Sequence, residues 1–155
     1  MVGMTEINVR EFRDYAAGLA QQAASLILTK RAEITATDDI RSHSQTKTSA
    51  VDPVTEVDTA AEAFIADSIR RDRPDDGIIG EEGADIPSKS GVSWVIDPID
   101  GTVNFIYGLP AYSVSIAATI DGVPVAAAVA DVAGEVVYSA ASGGSSMEHS
   151  FSDAN

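Results

Sequence analysis

The segment from Trp94 to Thr102 constrains this chain more than any other. It is a short apolar run followed by two carboxylates. Asp97 and Asp100 stand three residues apart, beside Pro98 and Gly101. At about 5 Å and an effective dielectric near 20, two such charges repel by roughly 3 kcal/mol. Proteins keep pairs of this kind where a proton or a cation lies between them. Carboxylate and carbonyl oxygens are hard ligands that suit Mg²⁺ rather than Zn²⁺, so the segment predicts one wall of a magnesium site that faces phosphate.

The composition argues against several other kinds of site and partner. The chain has 155 residues, no cysteine, two histidines and a formal net charge of −14. A zinc site built from thiolates or imidazoles is therefore not expected, and the acidic charge argues against nucleic acid or an anionic membrane as a partner. No apolar run approaches the ~20 residues of a membrane span. Residues 1–13 lack the apolar core of a signal peptide, so we expect a cytoplasmic protein.

The spacing of apolar residues predicts two long helices. Asn8 starts a capping-box pattern, and the apolar positions that follow it predict a helix over residues 8–31. Residues 33–52 are polar and predict a long loop. Pro53 opens a second helix that we expect to end near Arg73.

The other periodic segments predict β-structure. Short apolar runs indicate strands over 77–80 and 93–96, and the second strand delivers Asp97 at its C-terminal end. Asp121-Gly122 is a strong two-residue hairpin signal. One strand is expected before this turn and two after it, and together they should form an antiparallel meander: 112–120, 123–130 and 135–140.

These elements predict an α+β fold, with layered helices on a largely antiparallel sheet. We expect residues 1–141 to form one metal-binding domain. Residues 142–155 are rich in Ser and Gly and lack periodicity, so we expect them to be a disordered or weakly attached tail.

Spacing excludes the other common cation and phosphate motifs. An EF-hand loop counted from Asp97 needs ligands at its third and twelfth positions, which are Ile99 and Gly108. An aspartyl-phosphate mechanism needs a nucleophilic Asp two residues before the second acid, where Pro98 stands. The chain has neither a Walker A sequence nor a Gly-x-Ser-x-Gly elbow.

Three motifs in a fixed order resemble those of a known family. They are Asp52–Asp58, Ile79–Gly83, and Trp94–Thr102 with the following Asn104-Phe105. Together they resemble the inositol monophosphatase family, most closely its bacterial inositol-1-monophosphatase branch, over roughly residues 8–141. The resemblance implies the N-terminal half of the sugar phosphatase fold. It also implies Mg²⁺-dependent hydrolysis of a phosphate monoester, myo-inositol 1-phosphate, by a metal-activated water and without a phosphoenzyme.

The resemblance also implies a role for each matching residue. A first Mg²⁺ would be held by the Glu81 and Asp97 carboxylates and the Ile99 carbonyl. Asp97 and Asp100 would hold part of a second. The attacking water would be oriented and deprotonated by three residues: Thr102, Asp58 and Glu82. The backbone amides of Gly101 and Thr102 would bind the phosphate, and Lys47 would neutralise phosphate or anchor its loop.

The same residues have plainer explanations. Asp58 and Thr102 are suitable helix caps, Glu81 and Glu82 fit a solvated loop, and Lys47 fits an ordinary exposed lysine.

Family members are longer than this chain, and their second half supplies an α/β domain with a further Asp for the second metal and most contacts to the inositol ring. The first alternative is therefore a truncated, non-catalytic fragment that still binds a cation. The second is a related branch that acts on histidinol phosphate, 3′-phosphoadenosine 5′-phosphate or fructose 1,6-bisphosphate. The family also implies lithium sensitivity and a homodimer.

Overall fold

Helices cover one face of a six-stranded sheet in the computed structural model, which describes residues 2–37, 53–81, 83 and 85–153. In chain order the elements are α1 (Val2–Thr37), α2 (Pro53–Asp72), β1 (Gly77–Gly80), β2 (Val92–Asp100), α3 (Thr102–Tyr107), β3 (Ser113–Ile120), β4 (Val123–Asp131), β5 (Val136–Ala141), β6 (Met147–Ser150) and a 3₁₀ turn (Phe151–Asp153). The mixed, mostly antiparallel sheet confirms the α+β prediction.

The two long helices pack on the sheet through apolar stripes at helical spacing. On α1 the buried positions include Phe12, Ala16, Leu19, Ala23 and Ile27. This helix lies across β3, β4 and β5, while α2 lies against β2 and against α1. Pro53 occupies the first position of α2, where its missing N–H costs no helical hydrogen bond.

The strands follow one another across the sheet in chain order. β1 and β2 are parallel, and every later neighbouring pair is antiparallel. Asp121 and Gly122 both have positive φ, 50° and 83°, as a type I′ hairpin requires. The hairpin predicted at this dipeptide is confirmed.

A buried carboxylate, Asp76, links the end of α2 to the core. It accepts hydrogen bonds from the Trp94 indole nitrogen at 2.9 Å and from the Ser90 hydroxyl at 2.7 Å, and it pairs with the Arg73 guanidinium. Arg73 in turn lies 4.7 Å from the centre of the Phe12 ring on α1. One acid therefore connects α1, α2 and β2.

The sheet face opposite the helices carries exposed apolar side chains. Ile79, Val95 and Tyr138 are 51%, 41% and 47% exposed. The prediction that residues 77–80 form a strand is confirmed, but only Ile78 and Gly77 of that strand are buried.

No helix within the described ranges has both the length and the apolarity needed to cross a lipid bilayer.

The predicted limits of the first helix are wrong. Helix α1 begins at Val2 and passes through Asn8, and it continues to Thr37 instead of ending near residue 31. Neither extension contains a proline, so nothing forces the helix to stop. Near its C-terminal end the Thr35 hydroxyl donates to the Arg31 carbonyl at 3.0 Å, a contact that a helix accommodates. Residues 38–52 of the predicted loop lie outside the described residues.

Two other expectations are corrected. Strand β2 does not end at Ile96 but continues to Asp100 through an irregularity. The expected disordered tail contains β6, which pairs with β5 from Val136↔Ser150 to Ser139↔Met147. The open edge of β5 supplies hydrogen-bond partners that a Ser- and Gly-rich sequence does not reveal by its own pattern.

Candidate metal centre

The parallel pairing of β1 and β2 brings two acids to the same edge of the sheet. Gly80, the last residue of β1, is in register with Ile96 of β2. Glu81 and Asp97 are the next residues after this pair on the two strands, so they lie side by side. The carboxyl ends of parallel strands are where open α/β sheets place ligands.

A bulge in β2 puts the second acid on the same side as the first. Asp97 is opposite Ser115 and Asp100 is opposite Ser113, so the two residues between these acids face a single residue of β3. In a regular strand, residues three apart point to opposite faces. The extra residue reverses that parity, and both carboxylates share the face of Ser113 and Ser115.

The Asp97 carboxylate lies in a negative and partly desolvated environment. Burial, followed by repulsion from Glu81, Asp100 and Glu62, raises its pKa from 3.8 to about 6. A hydrogen bond from the backbone of Ile99 lowers the pKa and offsets part of this rise. These charges therefore act on one another as the sequence predicted for Asp97 and Asp100.

The Asp97 Oδ1 atom fits a hard cation. It is buried and has no hydrogen-bond partner among the described residues, although buried oxygens are nearly always paired. Among the described residues, no group of three or more His, Asp or Glu side chains is arranged so that it could hold a metal ion. Mg²⁺ commonly uses only one or two carboxylates and keeps several waters. An unpaired carboxylate oxygen among neighbouring acids matches that requirement.

Gly101 and Thr102 set the start of α3 beside the acids. Gly101 has φ +91°, and a Cβ there would lie 2.7 Å from the Ala111 carbonyl oxygen, so only glycine fits. The Thr102 hydroxyl donates to the Ile99 carbonyl at 3.3 Å. The Asn104 amide donates to Ala111 at 2.9 Å. The first turn of α3 is thus tied to both β2 and the segment before β3.

Arg31 of α1 holds the other end of α3. Its guanidinium donates to the Phe105 carbonyl and lies 4.6 Å from the Phe105 ring centre and 5.8 Å from that of Tyr112. A six-residue helix is not stable by itself, so such contacts fix its position. The helical periodicity of α1 gave no sign that its last turns reach this site.

Glu62 is a second residue that the sequence reasoning missed. It is a buried acid on α2, and its Oε1 atom accepts the Glu81 backbone N–H at 3.1 Å. The available signal was its spacing, since Glu62 follows Asp58 by four residues and the two share a helix face.

The remaining predicted residues are placed as follows. Asp58 is half-buried on α2, one turn before Glu62. Glu82 and Lys47 lie outside the described residues, and their roles stay predictions.

An open depression of about 460 Å³ adjoins this centre on the side of α3. Its lining is mainly polar and includes Asp100, Gly101, Asn104, Ser113 and Asp131. A small polar molecule there would contact Asp100 directly.

The sequence and the fold both match known proteins. The profile of a family described as the inositol monophosphatase family matches residues 8–151. An inositol-1-monophosphatase of Mycobacterium bovis is 49% identical over 139 residues, which make up 84% of this chain and 48% of that relative. A histidinol-phosphatase of Chlorobaculum parvum is 51% identical over 70 residues, or 45% of this chain and 27% of that relative.

The similarity extends to a solved structure. Mycobacterium tuberculosis SuhB superimposes with a TM-score of 0.73 at 43% identity, over 91% of this chain and 51% of that one. The chain thus spans about half the length of the mycobacterial relatives it matches.

Proposed function

The chain belongs to the inositol monophosphatase family, and we propose that it forms the metal-binding half of a phosphatase that hydrolyses phosphate monoesters. The observation that carries this proposal is the buried Asp97 Oδ1 atom, which lacks a hydrogen-bond partner among the described residues while Glu81 and Asp100 repel its carboxylate. A divalent cation would relieve that repulsion and bond to the unpaired oxygen.

The ligand set is made of hard oxygens and therefore favours Mg²⁺. The Glu81 and Asp97 carboxylates and the Ile99 carbonyl would hold a first Mg²⁺, and Asp97 and Asp100 would hold part of a second. Bound Mg²⁺ would lower the pKa of water and withdraw charge from the phosphate. Since the chain has a net charge of −14, a local positive charge is also needed to attract a phosphate ester.

The other residues orient water and phosphate. Thr102, whose hydroxyl already lies beside the Ile99 carbonyl, orients the attacking water together with Asp58 and Glu82, and one of these two carboxylates accepts the proton that the water loses. The backbone amides of Gly101 and Thr102 bind the phosphate oxygens. Lys47 adds a positive charge to the phosphate or anchors its own loop.

The substrate class is an inositol phosphate, myo-inositol 1-phosphate in the first instance. The relative named inositol-1-monophosphatase aligns with 84% of this chain, whereas the one named histidinol-phosphatase aligns with 45% of it. The polar depression beside Asp100 suits the hydroxyl groups of such a substrate.

Phosphate release tests this proposal. We expect the chain to release phosphate from myo-inositol 1-phosphate in the presence of Mg²⁺ and not in EDTA. The Asp100→Asn variant keeps the shape of the side chain but loses its charge, so we expect the rate to fall by about 100-fold or more, as when one group that stabilises the transition state is removed. Histidinol phosphate and fructose 1,6-bisphosphate serve as competing substrates in parallel assays.

Equal release by the two proteins, or release without a divalent cation, would contradict the proposal. If Mg²⁺ binds but no substrate is hydrolysed, the non-catalytic cation-binding alternative replaces it.

A further inference from the structure

Glu62 is a buried acid that the proposed ligand set does not use. Its residue is only 3% exposed, although it belongs to a residue type that is rarely buried unless paired. Removing a carboxylate from water is costly, so its retention at this position needs a structural or functional reason. It contacts the proposed centre through the hydrogen bond from the Glu81 backbone N–H to Oε1, at 3.1 Å.

Gly80 gives the Glu62 carboxylate its place. A Cβ at position 80 would lie 2.8 Å from Glu62 Oε1, 2.9 Å from Cδ and 3.0 Å from Oε2. The first two distances are closer than Cβ atoms approach neighbouring atoms in proteins, and the third is tighter than nearly all observed Cβ contacts. The Glu62 carboxylate therefore fills the volume that a side chain at position 80 would otherwise occupy, next to the turn that carries Glu81.

Two side-chain carboxylates hold the turn after β1 by accepting hydrogen bonds from two consecutive backbone amides. The Gly80 N–H donates to Asp85 Oδ1 at 3.3 Å, and the next N–H, that of Glu81, donates to Glu62. Because Glu81 lies beyond the last paired residue of β1, the sheet ladder does not fix its backbone. The hydrogen bond to the Glu62 carboxylate on α2 fixes the Glu81 backbone instead.

We propose that Glu62 is a positioning residue: its buried carboxylate fixes the Glu81 backbone and thereby sets the Glu81 carboxylate beside Asp97 for cation binding. The part concerning the cation rests on the proposed function, whereas the hydrogen bond and its effect on Glu81 do not. Two measurements separate them.

The first measurement is hydrogen exchange of the Glu81 amide in the metal-free chain. Glu62→Gln keeps an oxygen acceptor of the same reach, so we expect protection to be retained. Glu62→Leu removes the acceptor, and exchange should become about 10-fold faster or more. The Ile78 amide, which donates to the Ile86 carbonyl at 2.9 Å, serves as an internal reference that should not change.

Gly80→Ala provides a second route if Glu62→Leu does not fold. Its added methyl group displaces the carboxylate without removing it, and we expect the same loss of protection at Glu81. An unprotected Glu81 amide in the parent chain, or equal protection in all variants that fold, would overturn the inference.

The second measurement is Mg²⁺ affinity by calorimetry. Residues that support metal ligands typically change affinity by about 10- to 100-fold when mutated, and we expect a loss of this size in Glu62→Leu. Glu62→Gln keeps the acceptor and removes only the charge that contributes least to the repulsion at Asp97, so its loss of affinity should be much smaller. Asp67→Asn removes an exposed charge from the same helix and controls for the change in net charge.

Each result has one interpretation. If Glu62→Gln weakens binding as much as Glu62→Leu, the charge of Glu62 matters and its hydrogen bond does not, which overturns the positioning role. A parent chain that binds no Mg²⁺ contradicts the proposed function instead, and the exchange experiment then decides the role of Glu62.

Discussion

We expect the Asp97→Asn variant to be more stable than the parent chain at pH 7 without divalent cations, by about 1 kcal/mol after allowance for solvent screening. Burial and the neighbouring acids raise the pKa of Asp97 to about 6. The unfolded chain loses this proton near pH 4, whereas the folded chain holds it to about pH 6, so stability falls as the pH rises through that window. Asparagine carries no charge and removes the penalty.

The same substitution should abolish the response to Mg²⁺. At about 100 times its Kd, a ligand that binds only the folded state stabilises it by about 2.7 kcal/mol. The parent should show a gain of this kind, and Asp97→Asn should show almost none, because a neutral amide oxygen binds Mg²⁺ far more weakly than a carboxylate does. The variant is thus expected to be the more stable protein in EDTA and the less stable one in saturating Mg²⁺.

Urea denaturation in EDTA and in Mg²⁺ measures both effects. As the pH falls from about 6 to about 4, the advantage of Asp97→Asn in EDTA should disappear, since Asp97 becomes protonated in the folded parent. The Asp67→Asn variant, which changes an exposed acid on α2, should show neither effect. A variant that is less stable than the parent in EDTA would contradict the repulsion between Asp97 and the acids around it. A variant that keeps the full gain from Mg²⁺ would contradict the role of Asp97 as a ligand.

Replacing Asp76 with Ala should produce the largest loss of stability, about 3 kcal/mol or more. The substitution leaves the Trp94 indole N–H without its acceptor in the core and removes the partner of Arg73. The Arg73 side chain is 32% exposed and keeps some hydration, so we expect the lower part of the range for breaking a buried ion pair.

Asp67→Ala is the matched control for this change. Asp67 also pairs with an arginine three residues away, at 3.8 Å, but both side chains are exposed. An exposed pair contributes about 0–1 kcal/mol, so this variant should unfold close to the parent. Asp76→Asn retains one acceptor oxygen and should fall between the two, which keeps the comparison available if Asp76→Ala does not fold. Similar stabilities for Asp76→Ala and Asp67→Ala would contradict the assigned role.

Local sequence signals predicted those parts of the fold that depend on neighbouring residues. The Asp121-Gly122 turn was predictable because both residues tolerate the positive φ that a type I′ hairpin turn requires. Helix α2 was predictable because Pro53 and its apolar stripe act within one helix. The proximity of Glu81 and Asp97 was also implied, since each acid directly follows a strand-forming run.

Contacts between distant segments were not visible in the sequence. The β2 bulge depends on its register with β3, which brings Asp97 and Asp100 to one side, and no local pattern encodes that register. Glu62 and Arg31 resembled ordinary charged residues on amphipathic helices, and only the packing of those helices on the sheet places them at the centre. Strand β6 exists because β5 offers it an edge.

The most direct test of the central claim is a crystal structure of this chain grown with Mn²⁺, a scatterer that accepts the same hard oxygen ligands as Mg²⁺. We expect an anomalous peak bonded to Asp97 Oδ1 at about 2.0–2.3 Å, with the Glu81 carboxylate and the Ile99 carbonyl among its other ligands. A map without a peak at Asp97, in which Oδ1 instead accepts a hydrogen bond from the protein, would contradict that claim.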